Sequence, residues 1–370
     1  MHAPSIKFLV SSPYGDVPVD TDRLDLPLEC DPLKTPYRVY FQSIRDFLEK
    51  DQFMPILKAT AEKCGEAAHI KDVNEIIVRT EKHGSLYHPA SIEIILKGTK
   101  IKFGLNVAIT ETGREWLQRE FGVIGKVNAK FNLPYLPCVY FFDELNSMSF
   151  LLEGWFEGYH EFHLSLTESG KDCVKLWEYG KGYAYLSREQ SFEIYRQASK
   201  ILTLYYDIND FSQIFPWHHA AGDFIARVED DGIDLRLTTA RQYEPYMVFE
   251  EKEGLSTVLA LFFFLLNLSL KMRLDKLDGL GNTVWAEDFC LEASVQGFID
   301  GLKSKKEFNN LFTSENEFFG ILKSFRVADL KNAYEPLIDI YNGTADYPVI
   351  TANLENHAET LYAILQNFPS

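Results

Sequence analysis

The chain has 370 residues, of which 46% are hydrophobic and 25% charged, and a formal net charge of −17. That length and apolar share exclude a disordered chain and leave room for two folding units with a large core. The acidic balance excludes general affinity for nucleic-acid phosphates or anionic membranes, since both need basic surface.

Cys30, Cys64, Cys138, Cys173 and Cys290 are odd in number and unclustered. This excludes a disulfide framework and a zinc pattern, and it fits a reducing compartment. The segment Met1 to Pro13 has no basic region followed by an apolar run, so no signal peptide is expected. The apolar stretch Leu255 to Leu270 falls short of the roughly 20 residues that a membrane span needs, and it carries Ser256, Thr257, Asn267 and Ser269. A buried core helix and a soluble, cytoplasmic protein are the expectations.

Residues 1–36 are rich in Pro and Asp without clear periodicity, which predicts an extended leader. From Tyr37 to Cys64, Val39, Phe41, Ile44, Phe47, Leu48, Phe53, Ile56, Leu57 and Ala61 recur at helical spacing. They predict one or two amphipathic helices, broken near Pro55 and stopped at Gly65. Val73–Arg79, Leu86–Leu96 and Ile101–Ile109 alternate Ile and Val with polar residues and are separated by turn signals. They predict a three-strand antiparallel meander. Thr112-Gly-Arg-Glu115 has the form of a capping box opening a helix to about Phe131. Leu136–Phe142 and Ser149–Phe156 predict two more strands. Beyond Gly158 a mainly helical pattern is expected, with a second capping box at Ser187-Arg-Glu-Gln190 and a hairpin across Asp230-Asp231-Gly232. The expected domains are a leader with helices (1–70), a small β-rich lobe (71–156) and a helical large lobe (157–370).

This order of elements resembles the protein-kinase-like fold, and within it the aminoglycoside and small-molecule phosphotransferase branch, over roughly residues 70–300. Four segments carry the resemblance: the meander followed by a capped helix and two strands; Phe150-Leu-Leu-Glu-Gly-Trp-Phe-Glu-Gly-Tyr-His-Glu-Phe162, similar to the strand that enters the interlobe hinge; Pro216-Trp-His-His-Ala-Ala-Gly-Asp-Phe-Ile-Ala-Arg227, placed as a catalytic loop; and the apolar helix at 255–270. It implies an α+β, two-lobed protein with a small antiparallel-sheet N-lobe and a mainly helical C-lobe. It also implies a nucleotide or another anionic small molecule bound in the interlobe cleft, with ATP and Mg²⁺ as the cofactors.

The family's catalytic pattern is degenerate here. A Gly-rich loop lets backbone N–H groups approach phosphates, but the first hairpin holds the single Gly84. Thr110 stands where the family places its phosphate-binding lysine, although Lys102 lies earlier on that strand, and Glu115 or Glu120 is the helix carboxylate that would pair with it. Asp223 is the acidic candidate for the catalytic loop, and Val228 stands five residues on in place of the metal-binding Asn. Thr238 and Thr239 occupy the region of the second metal ligand, where a hydroxyl poorly replaces a carboxylate on Mg²⁺.

Among individual residues, His218 and His219 beside Asp223 form a candidate His–carboxylate base, set against an aromatic-loop histidine beside Trp217. Arg227, Arg236 and Arg241 are candidates to clamp a phosphate or carboxylate, set against solvent-facing salt bridges. Lys82, His83 and His88 would cover an anionic ligand, or form a merely polar hairpin tip. His160-Glu-Phe-His163 lacks a third zinc ligand, and no metal site is expected. The expectation is a pseudokinase. The alternatives are an active, divergent ATP-dependent phosphotransferase with Asp223 as base, and an unrelated α+β binding module.

Overall fold

The computed structural model describes residues 4–12, 14–81, 83–84, 86–230, 232–246, 255–311 and 315–367. The chain forms two compact units. The first comprises Met1–Gly158, Glu178–Gly182 and Thr239–Arg241; the second comprises Tyr159–Trp177, Tyr183–Thr238 and Gln242–Ser370.

In the first unit the elements are β1 (Ser5–Ser12), β2 (Gly15–Pro18), α1 (Thr21–Leu24), α2 (Tyr37–Cys64), β3 (Val73–Thr80), β4 (Ala90–Leu96), β5 (Thr99–Ala108), α3 (Glu111–Phe131), β6 (Val139–Leu145) and β7 (Met148–Gly154). The strands form one sheet in the order β2-β1-β3-β4-β5-β7-β6. The meander β3-β4-β5 is antiparallel, as expected, and the β6–β7 hairpin joins it through β5 and β7. Asn146 and Ser147, both at positive φ, make the tight turn of that hairpin.

The first 36 residues correct the expected leader. β1 pairs in parallel with β3 over Ser5–Val10 and turns back antiparallel onto β2. The edge of the meander thus gains two strands, so the β3 backbone is paired on both sides. Helix α2 buries Tyr40, Phe41, Ile44, Phe47 and Leu48 in one apolar cluster with Ile76, Val78, Ile92, Phe103 and Phe150 of the sheet. It breaks where expected. Asp51, Gln52 and Phe53 have positive φ, Pro55 follows in the first turn of the next segment, and Gly65 closes the helix at φ 73°.

The second unit contains β8 (His160–Leu166), β9 (Asp172–Glu178), β10 (Gly182–Tyr185), α4 (Arg188–Tyr205), β11 (Ser212–Phe215), β12 (Phe224–Glu229), β13 (Gly232–Leu237), β14 (Gln242–Pro245), α5 (Leu255–Lys271), β15 (Leu274–Lys276), β16 (Thr283–Trp285) and α6 (Asp288–Lys303). Four further helices close the described chain: α7 (Lys306–Leu311), α8 (Glu315–Ser324), α9 (Val327–Ile340) and α10 (Tyr347–Asn367). Strands order as β10-β9-β8-β12-β13 in one sheet, with β11–β14 and β15–β16 as separate pairs.

Strands β8 to β10 correct the expectation of helices directly after Gly158. Glu161 to Leu166 alternates polar and apolar residues, and β8 pairs with both β9 and β12. The expected hairpin is β12–β13, with Glu229 opposite Gly232; Asp231 lies outside the described residues. Ser187 caps α4 through the capping box read from the sequence. Among the described residues no helix is long and apolar enough to cross a membrane, and Leu261, Leu265, Leu266 and Leu270 of α5 are fully buried. The α+β class holds, with a sheet-built N-terminal part and a helical C-terminal part.

Candidate functional site

The loop after β11 carries the acid read as a catalytic base. His218 caps a short 3-10 turn over His219–Ala221, its Nδ1 accepting from the Ala220 N–H at 3.0 Å. Gly222 follows in the left-handed region (φ 69°), and a Cβ there would stand 2.8 Å from Glu161 Oε1. Asp223 is then buried, with Oδ2 accepting from the His218 backbone N–H at 2.8 Å. Its carbonyl accepts from the Thr238 N–H at 2.8 Å.

The imidazoles do not serve Asp223. His219 is 2% exposed and sits among Phe162, Tyr195, Trp217 and Phe224, with ring centroids 5.4 to 5.7 Å away. Neither of its ring nitrogens has a hydrogen-bond partner among the described residues, and burial pushes its pKa down to about 4. The expected His219–Asp223 pair is therefore replaced by a neutral histidine in an aromatic core. The His218 Nε2 faces Asp346 Oδ2 at 3.6 Å. Burial opposes charge on Asp346, but His218, Lys271 and Lys276 together hold its carboxyl below the usual range.

Arg227 and Arg236 do share a face of the β12–β13 hairpin. Both guanidinium groups lie over the Tyr159 ring, at 5.0 and 5.2 Å. Asp234 pairs with both, and Glu229 with Arg227 at 3.1 Å. Arg241 is not on this hairpin, because β13 ends at Leu237 and Arg241 belongs to the first unit.

A constellation absent from the sequence reading lies on β8 and β15. His163 is 1% exposed, with Nδ1 3.4 Å from Asp275 Oδ1 and Nε2 3.5 Å from Glu161 Oε2. Burial disfavours its charge, but hydrogen bonds to Asp275 and Glu161 outweigh this and raise its pKa to about 9. Asp275 Oδ2 also accepts from the Leu164 N–H at 2.8 Å. Nearby, Lys175 Nζ and Ser165 Oγ both donate to Asp278 Oδ1, at 2.7 and 2.6 Å. At neutral pH His163 is thus a fixed cation and donor, not a base. Its local signal was the His160-Glu-Phe-His163 run, and its partner Asp275 is too distant in sequence for any spacing rule. Among the described residues no group of three or more His, Cys, Asp or Glu could hold a metal ion.

In the first unit, Lys82 lies outside the described residues. His83 and His88 are buried, their Nδ1 atoms 3.0 Å apart, and Tyr37 OH is 3.5 Å from His83 Nε2. Burial first, then His88, lowers the His83 pKa to about 4. The tip histidines are packed as neutral rings. Lys102 places Nζ 4.2 Å over the Trp155 indole, and burial lowers its pKa although Glu81 opposes this.

The helix start is displaced by two residues. Thr110, not Thr112, caps α3, its Oγ1 accepting from the Gly113 N–H at 3.1 Å. A Cβ at Gly113 would meet Leu86 O at 2.6 Å, so only glycine lets the helix begin there. Glu115 consequently points to solvent, and Glu120 is the buried helix carboxylate. Glu120 accepts from Tyr87 OH at 2.8 Å and from the Thr239 hydroxyl. Glu153 on β7 accepts from Asn106 Nδ2 at 2.9 Å; burial, then the Glu120 charge, pushes its carboxyl well above the usual range.

No protein-family model matches the chain, and no curated protein matches it. Solved structures do. One is described as a fructosamine-3-kinase from Haemophilus somnus: identity is 11%, the match covers 88% of this chain and 98% of that one, and the TM-score is 0.28. Another is a kinase domain with 9% identity, 80% and 90% coverage and a TM-score of 0.29.

Proposed function

We propose that the protein is a kinase-like pseudokinase, which binds a nucleotide or another anionic small molecule without transferring a phosphoryl group. The element order of the resemblance supports the kinase-like part, and the resemblance supplies the ligand class. The observation that carries the loss of catalysis is the use of the two threonines at catalytic positions. Thr110 Oγ1 caps α3, and Thr238 Oγ1 donates to Gly222 O at 3.2 Å and to Asp223 O at 3.3 Å. Both hydroxyls satisfy backbone groups, and neither brings the charge that phosphates or Mg²⁺ require. His219, which would have oriented Asp223, is a neutral core residue.

The test is a thermal-shift titration with ATP, with and without Mg²⁺, alongside an assay of γ-phosphate release and transfer. Ligand at ~100 times its dissociation constant adds about 2.7 kcal/mol of stability, a readily measured rise in Tm. A rise indifferent to Mg²⁺, without turnover, is the expected result. Turnover that needs Mg²⁺ and disappears in Asp223→Ala would replace this reading with a divergent phosphotransferase that uses Asp223 as base. No shift at all would leave an α+β binding module with a different ligand.

A further inference from the structure

In the first unit Lys102 is a cation without an anion. Lys100 and Lys102 share a face of β5, and Glu93 of β4 stands directly opposite Lys102. Glu93 nevertheless pairs with Lys100, at 3.0 Å. Among the described residues the Lys102 Nζ makes no ion pair and no hydrogen bond; it lies 4.2 Å over the Trp155 ring. Gly104, the next residue on that face, has no side chain, and Trp155 Cε3 stands 3.7 Å from where a Cβ would be. The Lys102 side chain is partly buried in this setting, yet its Nζ remains open to solvent.

One row along the same face, Arg79 of β3 stands opposite Ser91, and Ser91 opposite Gly104. The Arg79 guanidinium is bidentate on Asp16. Burial is the main cause that lowers the Lys102 pKa; Arg79 adds to it, while Glu81, Glu93 and Glu157 oppose both. An amine that is desolvated and set near a second cation is the arrangement that activates lysine as a nucleophile, because only the unprotonated form carries the lone pair. The surrounding charge disfavours an anionic ligand: Glu81, Glu93 and Glu157 act on the amine, and Arg79 is already committed to Asp16.

We propose that Lys102 is a covalent attachment site for a small, uncharged aldehyde with an apolar body, held as an imine beside the Trp155 indole. The amine lone pair attacks the carbonyl carbon, a proton passes from nitrogen to oxygen, and the carbinolamine loses water to leave a C=N bond. No electrons are gained or lost. The assignment is independent of the pseudokinase reading and needs no nucleotide.

The test treats the purified chain with benzaldehyde and cyanoborohydride, which reduces the imine to a stable secondary amine. Modified lysines are mapped by peptide mass spectrometry over a range of pH. Lys102 is expected to be labelled several-fold faster than every other lysine, with a rate that falls off at a lower pH than for Nα-acetyl-lysine. Trp155→Ala, which admits water to the amine, should bring that rate down to the level of the other lysines. Arg79→Gln removes the neighbouring cation and should also slow the reaction, which keeps the test open if Trp155→Ala does not fold. The anionic para-formylbenzoate should label Lys102 more slowly than benzaldehyde once each rate is divided by that on Nα-acetyl-lysine. Labelling of Lys102 no faster than that of the other lysines, or a rate that falls off at the same pH as for Nα-acetyl-lysine, would overturn the site. Unchanged rates in the folded variants would overturn the activation by Trp155 and Arg79, and equal normalised labelling by para-formylbenzoate would overturn the uncharged class.

Discussion

His163 is held as a cation inside the second unit by Asp275 and Glu161, at 3.4 and 3.5 Å. Its pKa rises from 6.5 to about 9 on folding, so its contribution is full below pH 6.5 and is lost as pH climbs through 9. The size is on the order of a few kcal/mol. His163→Gln should flatten the alkaline fall in stability between those values; a denaturant titration at several pH values that shows the same slope in both proteins would refute the ion-pair account. Glu120 makes a second residue-scale case. It takes hydroxyl hydrogen bonds from Tyr87 and Thr239 in a buried setting. Glu120→Ala would strand both hydroxyls and lower unfolding stability by ~2–4 kcal/mol. If the urea midpoint is unchanged, those bonds contribute nothing.

At the scale of elements, α4 and α6 pack most closely where α6 has no side chain. A Cβ at Gly297 would sit 2.0 Å from Arg196 O, and one at Gly301 2.6 Å from Thr203 Cβ. Gly297→Ala should therefore force the helices apart and cost ~2–4 kcal/mol. Gly122 in α3 has nothing within 4 Å of such a Cβ, so Gly122→Ala should instead stabilise by ~0.5–1 kcal/mol. Calorimetric Tm values of opposite sign for the two variants are the expected outcome. Which glycine serves packing was not legible locally, because both sit in helical patterns. Caps show the same mixture. Ser187 was readable because Gln190 completes its box, whereas Thr112-Gly-Arg-Glu115 imitated a box whose true cap, Thr110, lay two residues earlier.

At the scale of the molecule, buried histidines set opposing limits on pH. His83 and His219 fall to about 4 and His357 well below 6.5, each because burial disfavours its charge. Their unfolded forms bind protons that the folded forms refuse, so stability present above pH 6.5 is lost as pH falls toward 4. With His163 acting in the other direction, the histidine contribution to stability should peak near pH 6.5 and decline on both sides. A Tm that rises monotonically from pH 5 to 9 would contradict this.

The sequence by itself determined the acidic composition, the meander with its helix and hairpin, the break in α2 and the helices of the C-terminal end. Each of these depends on periodicity, turn residues or charge, which act within a few residues. Only the tertiary structure decided that residues 5–18 extend the sheet, since a parallel pairing with β3 needs a partner some seventy positions away. It also decided which polar residues are free to do chemistry. Asp223, His218 and His219 are adjacent in sequence, yet their side chains meet a backbone N–H, a distant carboxylate and a ring of aromatics respectively. Burial and the third-dimension partner set a side chain's charge and reach, and no spacing rule encodes either.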